Sequence, residues 1–342
     1  MSIPVTMDVV VCQRPGALKV EQRPVPQPAL GEVLVRVRRV GVCGTDMHIF
    51  RGVQPFLTYP RIMGHEISGE VVLSSPNSDL SAGDHVYVVP YFSCGECSAC
   101  RKDRPNCCKA LEVLGVHRDG AMAQYICVPE RFVFSAHGVS LNDAAMIEFL
   151  AIGAHAVRRG ALKPDQRVLI SGAGPIGIAC AVFAKLQGCE VNVVDLRPER
   201  LALCRERLGV DHALELAPDI DARLASISGG DMFDVVFDAT GNAEAMQGGF
   251  RFVAHGGTYV LVSIVNATIA FSDPEFHKRE ATLMASRNAT AEDFEFVIKC
   301  IRAGRIPTAH LHTHSAPLLE LPARLTEWLN PEAKVIKAMV EC

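Results

Sequence analysis

The run Ser171-Gly172-Ala173-Gly174-Pro175-Ile176-Gly177 follows directly on the apolar stretch RVLIS and opens the helical stretch PIGIACAVFAKLQ. A G-x-G-x-x-G pattern between a strand and a helix lets backbone approach a pyrophosphate, whose charge sits at the helix N-terminus. The next apolar strand, EVNVVD, ends on Asp195, 18 positions after Gly177. An acidic residue there accepts hydrogen bonds from ribose hydroxyls and repels a 2′-phosphate, which favours NAD over NADP. Arg197 and Arg200 keep NADP use open, because either can meet a phosphate or lie against adenine. Gly172, Gly174, Pro175, Ile176, Gly177, Asp195, Arg200 and, in the later strand–turn FDVVFDATG, Thr240 are the candidate nucleotide contacts.

From Arg167 onwards strands and helices alternate: RVLIS, PIGIACAVFAKLQ, EVNVVD, PERLALCRERL, FDVVFDATG, GTYVLVSI. That alternation predicts an α/β fold with a doubly wound parallel sheet. The chain before Leu141 reads differently. VLVRVRRV, ISGEVV, DHVYVV and AQYICVP are short strands separated by Gly, Pro and Ser, the first alternating as a half-buried strand does. This part is predicted to be mainly β, as a small barrel. Between the two, Asn142 or Asp143 is expected to cap one helix running through AAMIEFLAIGAHAVRRG to Gly160. A capped helix over Thr290–Ala303 and a mixed tail, 304–342, are expected to return to the first part. A length of 342 residues suits two domains.

Four cysteines, Cys94, Cys97, Cys100 and Cys108, lie in one Gly- and Pro-containing loop as C-x2-C-x2-C-x7-C. Such a set can close a tetrahedral shell on one Zn²⁺ and leaves no position open, so it points to structure rather than catalysis. An iron–sulfur cluster is the rival, but no proline follows Cys107 or Cys108 as it does in the ferredoxin run. Spacing alone leaves both Cys107 and Cys108 available as the fourth ligand. A disulfide network fits poorly, because the 13 cysteines are odd in number and mostly sit in apolar segments.

Hydrophobic residues make up 49% and charged residues 21%, a globular balance, and a net charge of −4 offers no bulk attraction to nucleic acid or anionic membrane. The N-terminus lacks the basic stretch of a signal peptide, and the most apolar run, 168–184, is broken by glycines and Pro175. A cytoplasmic protein without nucleic-acid or membrane partners is expected.

A second constellation stands upstream: Cys43 in GVCGTDMH and His65-Glu66 in GHE. Cysteine, histidine and carboxylate are zinc donors, and a catalytic site uses three of them with a fourth position open. GVCGTDMHIFRG, GHE, the four-cysteine loop, MIEFLAIGAHA and GAGPIG occur in the order found in zinc-dependent medium-chain dehydrogenases, which the whole chain resembles. Within them it is most similar to the sorbitol and threonine dehydrogenase branch. LGVHRDGAMAQYICVP, SRNAT and the tail resemble the sugar-acid dehydrogenases that oxidise L-galactonate or L-gulonate at C5.

The resemblance implies a GroES-like, β-rich catalytic domain (1–151 and 289–342), a Rossmann domain (152–288) and a cleft between them. It implies two zinc ions per chain and NAD. Cys43 and His65 become ligands of a catalytic zinc with Glu66 and Glu148, although Phe149 stands where many relatives carry proline. Thr45 and His48 become the relay that carries the alcohol proton to solvent, and Cys108 becomes the fourth structural ligand. Arg118, Arg287 and Asn288 are candidate contacts to a substrate carboxylate or hydroxyl. The implied substrate is a sugar acid, with a polyol or threonine as alternatives. A non-catalytic nucleotide-binding protein of the zeta-crystallin type is the alternative of a different class. A homodimer or homotetramer is implied, paired at sheet edges near GTYVLVSI. His310, His312 and His314 lack a Cys or carboxylate companion and read as an exposed strand, and Trp328 reads as helix packing.

Overall fold

The computed structural model describes residues 3–342. They form two compact units, one running to Glu148 and resuming over Ile298–Cys342, the other spanning Phe149–Val297.

The first unit is built from β-sheets. Its spine is the strand Glu32–Val42, which pairs antiparallel with Glu66–Leu73, Tyr125–Pro129 and Lys337–Glu341. Val33, Leu34 and Val35 are all fully buried, so this strand is covered on both faces rather than half-buried as its alternation predicted. The cover includes a second sheet, ordered Ala17–Pro24, Thr6–Arg14, Arg61–Ile62, whose Val9 and Val11 share one apolar core with Val35 and Ile67. The C-terminal tail belongs here. Lys337–Glu341 lies between Glu32–Val42 and His312–Pro317, and the helix Leu321–Trp328 buries Leu321, Leu325 and Trp328 in the same core.

The second unit carries six parallel strands in the order His212–Glu215, Glu190–Asp195, Arg167–Ser171, Phe233–Asp238, Val253–Leu261, Thr282–Ala285. Numbered along this unit, that is 3-2-1-4-5-6, the doubly wound order, and the direction reverses between Arg167–Ser171 and Phe233–Asp238. The GTYVLVSI strand is interior. The edge strand on that side is its neighbour Thr282–Ala285, and His212–Glu215 forms the other edge.

The segment after Gly138 departs from the single helix expected. Ser140, in extended conformation, caps Leu141–Ala145 by accepting from the Asp143 amide at 3.1 Å. Asn142 cannot serve as the cap because its Oδ1 accepts from Arg39 Nε at 2.7 Å. The helix stops at Met146 and a second one begins, Ile147–Arg159. No helix among the described residues is long and apolar enough to cross a membrane.

Within the second unit Asp293, buried at the first turn of the helix Ala291–Arg302, gathers five bonds. It accepts from Thr290 N and Oγ1 at 2.8 Å each and from Arg158 Nε and Nη2 at 2.7 and 2.9 Å, and it lies 2.8 Å from His155 Nδ1. Burial alone would raise its carboxyl, but the bonds to His155, Arg158 and Thr290 outweigh it and hold the group well below the usual carboxylate range. A depressed carboxyl stabilises the fold above its unfolded value and loses that contribution as pH falls through its folded value. Asp293→Asn is therefore expected to cost about 3 kcal/mol at pH 7 in denaturant unfolding. The gap to the parent protein should narrow as pH falls below about 4.

Candidate metal and nucleotide sites

Cys43 takes extended backbone at the N-cap of the helix Gly44–Arg51, so its side chain leaves the helix at the first amide. Asp46, three residues on and fully buried, accepts from Cys43 N at 2.9 Å and from Gly64 N at 3.1 Å. One carboxylate thus ties the segment bearing Cys43 to the residue before His65. Asp46 Oδ1 also lies 4.0 Å from His65 Nδ1, which is buried without a hydrogen-bond partner. The donor atoms of Cys43, His65 and Glu66 all lie within 4.8 Å of one another.

Three charged side chains here are buried together: Glu66, Glu148 and Lys337. Lys337 Nζ reaches Glu66 Oε1 at 2.6 Å, Oε2 at 2.7 Å and the Val42 carbonyl at 3.3 Å. Such a pair adds little net stability, but removing one partner leaves a bare buried charge and costs about 3–5 kcal/mol. Gly41 makes room for the pair, because a Cβ there would run into the Glu66 carboxylate. Glu148 stands at the start of the helix Ile147–Arg159, outside the 4.8 Å group. Its Oε1 accepts from Tyr91 Oη, while its Oε2 is buried with no hydrogen-bond partner. Burial pushes the Glu148 carboxyl up to about 7, with Glu66 adding to the rise and His65 and Lys337 opposing it. Burial pulls His65 down, but the Cys43 sulfur, Asp46 and Glu148 together carry it well above its ordinary value. A soft thiolate, an imidazole and an orphaned carboxylate oxygen fit a zinc ion.

Thr45 and His48 lie at i and i+3 on the same helix, hence on one face. Desolvation, then the Arg51 guanidinium, pushes His48 below 6.5, so its imidazole is neutral at pH 7.

The four-cysteine loop is folded as a cluster. Cys94 Sγ lies 3.4 Å from Cys108 Sγ and 4.0 Å from Cys100 Sγ, and Cys97 Sγ lies 3.5 Å from Cys100 Sγ. A zinc tetrahedron with Zn–S bonds of about 2.3 Å has S···S edges of about 3.8 Å, so the set fits the ion without rearrangement. Amides of Cys100 and Lys109 hold the Cys97 thiol down at about 6, while burial pushes Cys100 up to about 11. Cys107 is exposed and outside the cluster.

In the second unit Gly174 caps the helix Pro175–Leu186 with Pro175 in its first turn. Gly172 has φ +94°, and a Cβ on Gly177 would collide with the Gly172 carbonyl, so both glycines are required by the turn. Asp195 Oδ2 accepts from Ala173 N at 2.5 Å and Oδ1 from Arg197 N at 2.8 Å, joining the end of the second strand to the glycine turn. Arg200 Nη1 lies 3.8 Å from Asp195 Oδ2 and the same distance from where a Gly174 Cβ would stand. Across the switch point, buried Asp238 accepts from Thr240 N at 3.1 Å and from Thr240 Oγ1 and Ser263 Oγ at 3.0 Å each. The glycine cradle, the acid at the second strand end and the fixed Thr240 turn fit a dinucleotide.

The remaining candidates are placed as follows. Arg118 lies over the Phe92 ring, 5.1 Å from its centroid, and 3.7 Å from Glu112. Arg287 is exposed, and Asn288 has φ +51°. His310 falls in a 3-10 turn before the strand His312–Pro317, and His312 Nε2 sits 2.9 Å from Ser315 Oγ, so the three histidines converge on no common point. The sequence reading missed Asp46, Tyr91 and Lys337. Asp46 was findable as the third residue after Cys43 in CGTD, where a helix-capping acid belongs. Tyr91 and Lys337 carry no local signal in PYFSC or KVIKAM.

Metal analysis of the purified protein is expected to give two zinc ions per chain. Cys108→Ser should hold one zinc and melt earlier, whereas Cys107→Ser should hold two and melt as the parent does.

Family models agree with this architecture. Residues 29–138 match the alcohol dehydrogenase GroES-like domain and residues 175–303 match the zinc-binding dehydrogenase domain. The chain is 43% identical over 336 residues to L-galactonate-5-dehydrogenase of Escherichia coli K12, covering 98% of this chain and 99% of that one. A solved alcohol dehydrogenase from Escherichia coli CFT073, complexed with NADH, superposes with a TM-score of 0.93 at 27% identity over 99% of this chain and 100% of that one. A zinc-binding dehydrogenase from Sinorhizobium meliloti bound to NADP gives 0.90 at 27% identity over 98% and 99%. With its β-rich unit, its 3-2-1-4-5-6 sheet and its two donor clusters, the chain belongs to the zinc-dependent alcohol dehydrogenase family.

Proposed function

We propose that this protein is a zinc- and NAD-dependent dehydrogenase that oxidises the C5 hydroxyl of a hexonate of the L-galactonate type to a ketone. The observation that carries the activity is the convergence of the Cys43, His65 and Glu66 donors within 4.8 Å, in a chain that also holds a dinucleotide fold. The substrate class rests on the 43% identity to L-galactonate-5-dehydrogenase over nearly all of both chains. In this reading the first unit is the catalytic domain and the second binds the nucleotide.

Cys43, His65 and carboxylates from Glu66 and Glu148 hold the catalytic ion, and the four cysteines hold the structural one. Bound at the first site, zinc supplies Lewis acidity that lowers the pKa of a coordinated hydroxyl. Thr45 Oγ accepts the substrate proton, and His48, neutral at pH 7, carries it outward from the same helix face. The glycine turn seats the pyrophosphate, Thr240 lines its crevice, and Asp195 receives the adenosine ribose. An Asp195 carboxylate disfavours a 2′-phosphate, so NAD is the preferred acceptor even though one structural neighbour was solved with NADP.

We also propose a homodimer or homotetramer, paired along Thr282–Ala285, where the sheet has a free edge and Leu283 is 38% exposed. Thirteen cysteines without a disulfide suit a reducing compartment, the cytoplasm.

NADH formation on a panel of aldonates, polyols and threonine tests the substrate. L-Galactonate or L-gulonate should give kcat/KM at least roughly tenfold above sorbitol and threonine, a difference of about 1.4 kcal/mol in transition-state binding. A sorbitol preference would make the protein a polyol dehydrogenase. The relay has its own signature. As His48 protonates, kcat should fall on the acid side, at a pH below the ordinary imidazole value, because burial lowers this group. His48→Gln should lower kcat at pH 7 by on the order of 10- to 100-fold and flatten that acid limb.

A further inference from the structure

A hexonate held by its C5 hydroxyl carries a carboxylate at the far end of its carbon chain, an acceptor with no hydrogen to give. A site that selects such a molecule needs a fixed donor beside the metal cluster. In the first unit the turn 113–120 stands against that cluster. Gly120 N donates to the Ile62 carbonyl at 2.8 Å and Ala121 N to the Gly64 carbonyl at 3.0 Å. A methyl group on Gly115 or Gly120 would collide with the backbone of Gly64, the residue before His65. Asp119 Oδ1 accepts from Ile62 N at 3.1 Å and from Arg61 Nη1 at 3.3 Å. The turn is thereby fused to the segment that carries the His65 imidazole.

Two side-chain donors ride on this turn, His117 and Arg118, and they face different ways. In the strand pair Tyr91–Phe92 and Glu112–Val113, Tyr91 is registered with Val113 and Phe92 with Glu112. Successive side chains of a strand point to opposite faces. Tyr91 reaches Glu148, beside the metal cluster, so Phe92 and Glu112 point away from it. Arg118 belongs to that outer face. Its guanidinium covers the Phe92 ring at 5.1 Å and lies 3.7 Å from Glu112.

His117 is turned towards the helix of Thr45 and His48 instead. Phe56 stacks on its ring, with 6.5 Å between centroids. Phe56 lies in the segment leaving that helix, which is tied back by Val53 N to the His48 carbonyl at 3.0 Å and Tyr59 Oη to the Ile49 carbonyl at 2.5 Å. The His117 amide donates to the Val113 carbonyl at 2.9 Å, and its Nδ1 accepts from Val113 N at 3.0 Å. An Nδ1 that accepts carries no proton, so the ring hydrogen sits on Nε2. The residue is exposed, and this N–H meets no protein acceptor among the described residues.

We propose that His117 is a specificity-determining residue whose Nε2–H donates to the carboxylate of the sugar acid, and that Arg118 takes no part in holding it. The inference rests on the dehydrogenase reading above and names within it the group that selects an acid over a neutral polyol. Tautomer and ring plane are both set before substrate arrives, so little ordering is lost on binding.

His117→Phe keeps a ring against Phe56 and removes the donor, whereas His117→Gln keeps an N–H donor without the ring. The readouts are KM and kcat for L-galactonate at saturating NAD, and calorimetric binding of L-galactonate to the protein loaded with NADH. His117→Phe is expected to raise KM and weaken binding at least about tenfold, the loss of a hydrogen bond to a charged group, with kcat within about threefold of the parent. His117→Gln should recover most of that loss, and Arg118→Gln should move KM by less than about twofold. With L-galactonamide, whose terminal group is uncharged, His117→Phe should cost less than about threefold. Zinc content and melting temperature equal to the parent's report an intact site. Unchanged binding in His117→Phe would overturn the inference, and so would a larger loss in Arg118→Gln. An equal loss on the acid and the amide would overturn the carboxylate contact and assign the N–H to a hydroxyl. If the parent makes no NADH from L-galactonate, the proposed function falls as well. If it does and His117→Phe binds as the parent does, this inference falls alone.

Discussion

The Asp46 carboxylate holds together two pieces of chain that the site cannot do without. It accepts from the amide of Cys43 and the amide of Gly64, so the thiol at a helix N-cap and the imidazole at the start of a strand are set by one side chain. Burial makes the charged form expensive, and burial is the largest influence on this carboxyl, raising it. Two backbone bonds and the nearby His65 offset part of that cost. The arrangement is rigid because its supports are rigid: the helix Gly44–Arg51 on one side, the sheet strand Glu66–Leu73 on the other. A catalytic constellation needs that kind of support, since ligands held loosely lose their geometry.

The two donor clusters answer different demands. Four sulfurs within one loop close on themselves, with edges near the tetrahedral value, and nothing about them offers access to a substrate. The Cys43 cluster mixes donor types, draws them from well-separated parts of the chain and surrounds them with buried charge of both signs. The first arrangement suits a structural ion. In the function proposed above the second carries the chemistry, and its cost in buried charge supports that reading.

How much of this was legible in the sequence depended on how local each signal is. The glycine turn, Asp195 and the parallel order follow from short-range rules, because G-x-G-x-x-G needs its strand and its helix at hand. The cysteine loop was legible for the same reason, although spacing alone could not choose between Cys107 and Cys108, which lie side by side and differ only in which way the chain turns. The helix after Gly138 was misread because Asn142 looked like a cap while its side chain was engaged by Arg39, 103 residues away. The full burial of Val33–Val35 was hidden as well, since an alternating strand cannot announce that a second sheet will cover its other face. Lys337 was out of reach: its partner Glu66 is 271 residues distant, and a lone lysine in a strand ordinarily faces water.

The central claim is that the chain holds a catalytic metal centre distinct from its structural one. Anomalous diffraction at the zinc edge, on crystals grown with NADH and L-galactonate, tests it most directly. The account predicts two peaks per chain: one among the four cysteines, and one within about 2.0–2.3 Å of donors from Cys43 and His65. A single peak confined to the cysteine loop would contradict it.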